Sequence, residues 1–338
     1  MGRPRIVVLA TGGTIATLAD APGRPLRAGA ELLAAVPDLD RLADLTCRDV
    51  ARLPSHLMTV GEMELVARAA VQEARRDDAD GVVVLHGTDI LEEAAFLTDL
   101  WHDGATPIVF TGAQRPADHP AADGPGNIRD AVVTAGSSGA GRSGVLVCLG
   151  GTVRPAVGAT KHDTSSLDCF RGWPSPAGHV SGERLLGWGR EARAAPLSPA
   201  PLHHRVELVR LAAGTSGALV RAACRSGARG VVLEAFGAGT APADVVDAVA
   251  QGTQTGCVML LATRCPQGGV WPQAGTGGSA QLVSAGALPA GDLDGAKARV
   301  LLLAALGLAD GEAETARQVI ADWLHTTGRD GAWEPRSA

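Results

Sequence analysis

The sequence predicts an α/β protein, with a larger N-terminal, mainly parallel sheet flanked by helices and a smaller C-terminal α/β domain after it. Three observations carry this reading. Short, almost wholly apolar runs recur at 6–10, 82–86, 108–111, 145–149, 231–235 and 258–262, the pattern of strands covered on both faces. Helical periodicity lies between them: Met63, Val66, Ala67 and Ala70 follow i, i+3, i+4, i+7, as do Ile128, Ala131, Val132 and Ala135. The 338 residues also exceed one core at the usual allowance of about 150 residues per domain.

Taken in order, the first run ends in a glycine turn, and the helix at 63–70 leads to the run at 82–86. A second helix begins near Leu91. The helix containing Ile128 follows Asp123, Gly124 and Pro125, the composition of a capped start. The stretch 191–204 is rich in Ala, Pro and Arg and has neither periodicity, so it reads as a linker between domains at 1–190 and 205–338. Beyond it come a strand at 206–211, a helix at 216–226, the run at 231, a helix at 243–250 and the run at 258. Helices at 294–306 and 312–325 close the chain, and no repeat of solenoid period is visible.

Composition narrows the function. Apolar residues make up 46% of the chain, and the 44 glycines and 20 prolines sit between apolar runs without forming a biased tract, so the chain folds. The formal charge is -6 and no basic stripe with interleaved aromatics occurs, which argues against nucleic acid as a partner. The apolar run after Arg3 and Arg5 is too short for a signal-peptide core or a membrane span. Cysteines at 47, 148, 169, 224, 257 and 265 form no C-x-x-C pair and no dense framework. Reduced thiols in the cytoplasm, away from membranes, are the expectation.

Ligands of open parallel sheets sit beyond the carboxyl ends of strands, so those ends are where chemistry is sought. The first run leads into Thr11, Gly12, Gly13 and Thr14, where two glycines permit a sharp turn and two threonines offer hydroxyls. The second leads into His86, Gly87, Thr88 and Asp89, the third into Thr111, Gly112, Ala113 and Gln114, and Thr160, Lys161 and Thr164 follow the fourth. Each has a plain structural reading: a tight turn, a helix cap at Thr88 or Asp89, a solvated charge at Lys161.

Together these segments resemble bacterial L-asparaginases. The resemblance rests on A-T-G-G-T-I-A around Thr14, G-T-D-I-L-E-E from Gly87, T-G-A-Q-R-P from Thr111 with A-D-G-P-x-N behind it, T-K-x-x-T from Thr160, and the segment 296–302, in the same order and at comparable spacing. It implies hydrolysis of the side-chain amide of L-asparagine to aspartate and ammonia. It implies Thr14 as nucleophile and Thr88, Asp89 and Lys161 as a hydrogen-bonded trio. Ser55, with His56 where the family often has Gln, would hold the substrate's α-carboxylate beside Gly87. Asp89 would bind the α-ammonium, and the Ala113 carbonyl would receive the amide NH2. A homotetramer, a dimer of dimers with sites at the intimate interface, is implied, and no metal or organic cofactor.

The chemistry suits such a set. A threonine hydroxyl needs a base or polarising partner within hydrogen-bond reach, and a lysine can serve as a base where its surroundings favour the neutral form. Backbone N–H groups near Gly13, Thr14 or Thr88 are candidates for the oxyanion, at roughly 3 to 4 kcal/mol per aimed donor. Two departures stand out. The family's lid supplies a tyrosine hydroxyl, whereas this chain has no tyrosine and carries Asp20, Arg24 and Arg27 in 17–30; activation therefore falls to Lys161, a water or another group. The family's intersubunit carboxylate also has no counterpart between Asp247 and Asp292, leaving an amide such as Gln273 or Gln281.

Other signals carry less. Gly139, Gly141 and Gly144 spell G-x-G-x-x-G but precede a strand instead of following one. His203 and His204 have no metal-ligand partner at a usual spacing, so a surface role is expected. Cys148 and Cys169 are expected to pack. The alternatives are a glutaminase-asparaginase or other small-amide hydrolase and, in another class, an amino-acid-binding or sensor protein with weak turnover.

Overall fold

The computed structural model describes residues 2–19, 26–137, 139–172, 178–187, 195–271 and 273–329. The chain divides into two compact units, Met1–Pro196 and Leu197–Ala338. The first opens with β1 (Arg5–Gly12), α1 (Gly29–Ala34), α2 (Leu39–Leu42), β2 (Asp44–Leu53), α3 (Val60–Ala74) and β3 (Gly81–Leu85). α4 (Leu91–Trp101), β4 (Ile108–Thr111), α5 (Gly124–Ala135) and β5 (Val145–Leu149) follow. The unit ends with β6 (Thr152–Pro155), the hairpin β7 (Ala159–Lys161) and β8 (Phe170–Gly172), then β9 (Gly178–Ser181) and β10 (Arg184–Leu186).

Its main sheet runs β10-β9-β6-β5-β4-β3-β1-β2. β1 to β5 pair in parallel, and β6, β9 and β10 extend the sheet in antiparallel fashion. β3, β4 and β5 are buried at every position, which is why they read as unbroken apolar runs. Val83 and Leu85 face the cluster that includes Leu32 of α1, Leu39 of α2 and Ile128 of α5. Each such side chain contributes roughly 1.5 to 3 kcal/mol on burial. α3 and α4 pack against one another.

β2 is the strand the apolar pattern does not announce. Its sequence, DLTCRDVARL, leaves most positions exposed or half-buried because it is the sheet's edge. An edge strand pairs on one side only and can be polar.

α3 begins with a capping box, in which Thr59 accepts from the Glu62 N–H and Glu62 accepts from the Thr59 N–H. α4 has Ile90 at its N-cap with no side-chain cap bond, so neither Thr88 nor Asp89 serves there. Asp123 stands at the N-cap of α5 without a side-chain cap bond; its carboxylate accepts from the Asn127 side-chain amide of that helix at 3.1 Å and also reaches the β4 loop, as described below.

In the second unit β11 (Val206–Arg210), α6 (Ala218–Arg225), β12 (Gly230–Ala235), α7 (Ala243–Gln254) and β13 (Val258–Thr263) alternate. α8 (Ser279–Ser284), β14 (Leu288–Pro289), α9 (Gly295–Leu308) and α10 (Ala313–Thr326) complete it. The sheet order is β11-β12-β13-β14, all parallel. No helix among the described residues is long and apolar enough to cross a membrane.

Candidate active site

In the parallel part of the first sheet the order 2-1-3-4-5 places a switch point between β1 and β3, because the chain leaves β1 toward one edge and returns to build the other side. Crevices form beyond the carboxyl ends of strands at such points. The loops that follow β2, β1, β3 and β4 therefore lie side by side and bring Ser55, Thr14, Thr88 and Ala113 to one rim.

The β1 and β3 loops touch through glycine. Gly13 has φ 84, and a Cβ built on it would stand 2.2 Å from Gly87 Cα and 2.5 Å from Gly87 N. No side chain fits between them, so the backbone carrying Thr14 is seated directly against that carrying Thr88. A Cβ on Gly87 would meet Ser55 Oγ at 2.4 Å, which brings the β2 loop to the same point. One on Gly112 would meet the His86 carbonyl at 2.5 Å and Thr88 Cγ2 at 3.1 Å, which does so for the β4 loop beside Ala113. Thr14 opens a short 3-10 turn and is half-buried.

Lys161, at the end of β7, donates from Nζ to Thr88 Oγ1 at 2.8 Å and to Asp89 Oδ1 at 2.8 Å. Its backbone N–H donates to the Glu92 carboxylate in the first turn of α4, which pins the hairpin to that helix. Thr88 is buried, whereas the Asp89 side chain is 52% exposed and that of Lys161 21%. An ion pair so open to water is worth at most about 1 kcal/mol of stability; its effect is to orient. The Asp89 N–H donates to Ser55 Oγ at 3.3 Å, and His56 Nδ1 lies 3.7 Å from Asp89 Oδ2, too long for a hydrogen bond. Ser55 is buried and His56 exposed. The structure thus joins Thr88, Asp89, Lys161 and Ser55 directly, with His56 at the rim.

Ala113 is fully buried in a clamped loop. Asp123 accepts from the Gln114 N–H and the Arg115 N–H, one on each carboxylate oxygen, both at 2.9 Å. Asn127 donates to the Gly112 carbonyl at 2.9 Å and accepts from the Gly150 N–H at 3.1 Å, which ties the β4 and β5 loops together. Sequence reasoning assigned Asp123 to a helix start and gave Asn127 no role; the A-D-G-P-x-N motif was the available signal.

His86 closes β3 and is wholly buried. Its Nδ1 faces the Gly87 carbonyl at 2.8 Å, and Nε2 has no hydrogen-bond partner among the described residues. Burial pushes its pKa down from 6.5 to about 4 against the weaker effect of that carbonyl, so the ring is neutral at pH 7.

Of the segment after β1, Asp20 and Arg24 lie outside the described residues. The neighbouring parts are anchored: the Ala117 N–H donates to the Thr17 carbonyl, the Ala19 N–H to Asp118, and the Arg27 N–H to the Ala16 carbonyl, each at 2.9 Å. In the second unit the Gln281 side chain is occupied within its own loop, accepting from the Gly277 N–H at 2.7 Å.

Known families match both units. The family model described as "Asparaginase, N-terminal" matches residues 5–186, and that described as "Glutaminase/Asparaginase C-terminal domain" matches residues 205–319.

The chain belongs to the asparaginase family.

Among its relatives is a probable L-asparaginase of Deinococcus radiodurans, 36% identical over 90% of this chain and 94% of that protein. L-asparaginase 2 of Escherichia coli is 31% identical over 90% of this chain and 89% of its own. A glutamyl-tRNA(Gln) amidotransferase component from Halobacterium salinarum is 32% identical over 96% of this chain and 81% of its own. As a member of the asparaginase family the protein is an amidohydrolase, with its candidate site at the switch point of the larger sheet.

Proposed function

We propose that the protein hydrolyses L-asparagine to L-aspartate and ammonia with Thr14 as nucleophile. The observation that supports this most is the Lys161–Thr88–Asp89 trio at 2.8 Å spacings, set beside the glycine contact that seats Thr14. In this reading Thr14 Oγ attacks the carboxamide carbon while its proton passes toward the amide nitrogen, directly or through water. The C–N bond breaks and ammonia leaves. Water polarised at Thr88, whose hydroxyl is oriented by Lys161, then cleaves the ester to aspartate and regenerates Thr14. N–H groups at Gly13, Thr14 or Thr88 meet the oxyanion, where one aimed donor is worth roughly 3 to 4 kcal/mol. Asp89 takes the α-ammonium, Ser55, His56 and Gly87 the α-carboxylate end, and the Ala113 carbonyl the amide NH2. Each step uses the chain's own groups.

We also read the working form as a homotetramer, a dimer of dimers, in a reducing cytoplasm; all six thiols are free, which suits that compartment. A second reading, glutaminase-asparaginase, draws on the name of the C-terminal family model. The two substrates differ by one methylene, which a pocket separates by about 1 to 3 kcal/mol.

The test is a steady-state ammonia-release assay of wild type and Thr14→Ala on asparagine and glutamine. The expected result is turnover of asparagine by wild type and a loss of at least about 100-fold in the variant. Equal rates overturn Thr14 as nucleophile. Aspartate binding without ammonia release from either amide replaces the enzyme reading with an amino-acid sensor.

A further inference from the structure

We infer that His203, His204 and Asp310 form a surface site for a borderline divalent transition cation, Zn2+ being representative. One ring nitrogen of each histidine and one carboxylate oxygen of Asp310 all lie within 4.8 Å of one another. Consecutive side chains in extended backbone point to opposite sides. Here the chain bends at His204, just before β11, and the two imidazole centroids come to 4.0 Å with their planes tilted by 43°. Asp310 arrives from the turn between α9 and α10, at φ 47, a left-handed conformation that aspartate tolerates better than most residues. Gly311 follows at φ 79, and a Cβ there would stand 2.7 Å from His204 Cε1. The glycine therefore leaves room for the His204 ring beside Asp310. The spacing of more than 100 residues hides this partner from any reading of local motifs.

Two imidazoles and a carboxylate are a zinc-type donor set with a position open for water. Nitrogen donors of this kind disfavour Mg2+ and Ca2+. Around a tetrahedral ion with bonds of about 2.0 to 2.1 Å, ligand atoms stand roughly 3.4 Å apart, so the cluster must close by something like an ångström. His203 and Asp310 are both exposed and free to rotate inward. Among the described residues Nε2 of His204 has no hydrogen-bond partner. Arg229 donates to the Gly311 carbonyl and opposes a cation; Asp310, and Glu312 beside Arg229, set two carboxylates against it.

The experiment is calorimetric titration of ZnCl2 into untagged, chelator-stripped full-length protein, with MgCl2 as control. One equivalent of Zn2+ and no Mg2+ should bind. His203→Ala and Asp310→Asn should each weaken Zn2+ binding at least about tenfold, since even a partner behind a ligand is worth about 10- to 100-fold. Both positions are exposed, so circular dichroism of the variants should match wild type, and asparagine hydrolysis should be unchanged. A second readout is Cu2+ electron paramagnetic resonance, in which nitrogen couplings present in wild type are reduced in His203→Ala. Zn2+ binding of equal strength in the His203→Ala/Asp310→Asn double variant, or none in wild type below millimolar concentration, overturns the assignment.

Discussion

Lys161 Nζ lies 2.8 Å from Thr88 Oγ1, joining a β-hairpin to a strand end 73 residues earlier in the chain. The same nitrogen reaches Asp89 at 2.8 Å, so the hydroxyl, the ammonium and the carboxylate act on one another as a unit.

Removing either end of that unit should therefore cost about the same as removing both. Lys161→Met and Thr88→Val are each expected to lower kcat by roughly 100- to 10,000-fold, and the double variant should fall little further. Because the Lys161–Asp89 pair is half open to water, melting temperatures should hardly move. Steady-state kinetics of the three variants and their thermal melts measure both parts.

The glycine contact predicts a stability effect with its own control. Gly13→Ala forces a Cβ into the Gly87 backbone at a φ of 84, and should destabilise by about 3 kcal/mol or more as strain and clash combine. Gly126→Ala, inside α5 with nothing within 4 Å of its added carbon, should instead stabilise by about 0.5 to 1 kcal/mol. Urea unfolding of the two variants compares them directly.

His86 sets a pH dependence. The unfolded chain binds its proton near 6.5 and the folded one near 4, so between those values the unfolded state holds more protons. Stability from this group is complete above about pH 6.5, falls as pH drops through the window, and is lost below about 4. The total is about 3 kcal/mol. Unfolding free energies from pH 4 to 7 should show this slope, and His86→Leu should flatten it.

Asp123 is expected to act on the substrate end through its loop. Asp123→Ala leaves the Gln114 and Arg115 N–H groups without their charged acceptor, which should cost about 1.5 to 3 kcal/mol per bond if neither is rescued by water. Looser placement of Ala113 should raise KM for asparagine more than it lowers kcat, and kinetics beside a thermal melt separate the two effects.

The strands that carry the site were legible because β3, β4 and β5 are covered on both faces and so spell continuous apolar runs. β2 was not, since an edge strand alternates with solvent and its polar sequence has no such signature. The grouping of positions 88, 89 and 161 was implied by the resemblance to bacterial L-asparaginases, and those three side chains meet. Composition at a helix start could not reveal that Asp123 clamps the β4 loop, because a capping residue and a loop clamp have the same sequence. Nor could it bring Asp310 to His203 and His204, whose meeting depends on where the turn between α9 and α10 lands.

The bare contact between Gly13 and Gly87 separates scaffold from reactivity. Because main chain rests on main chain there, exchanging the groups at 14 and 88 for serine or cysteine alters nucleophilicity on an unmoved mount. Inserting a single residue into either loop would pull the two halves of the machine apart while leaving every functional group in the protein.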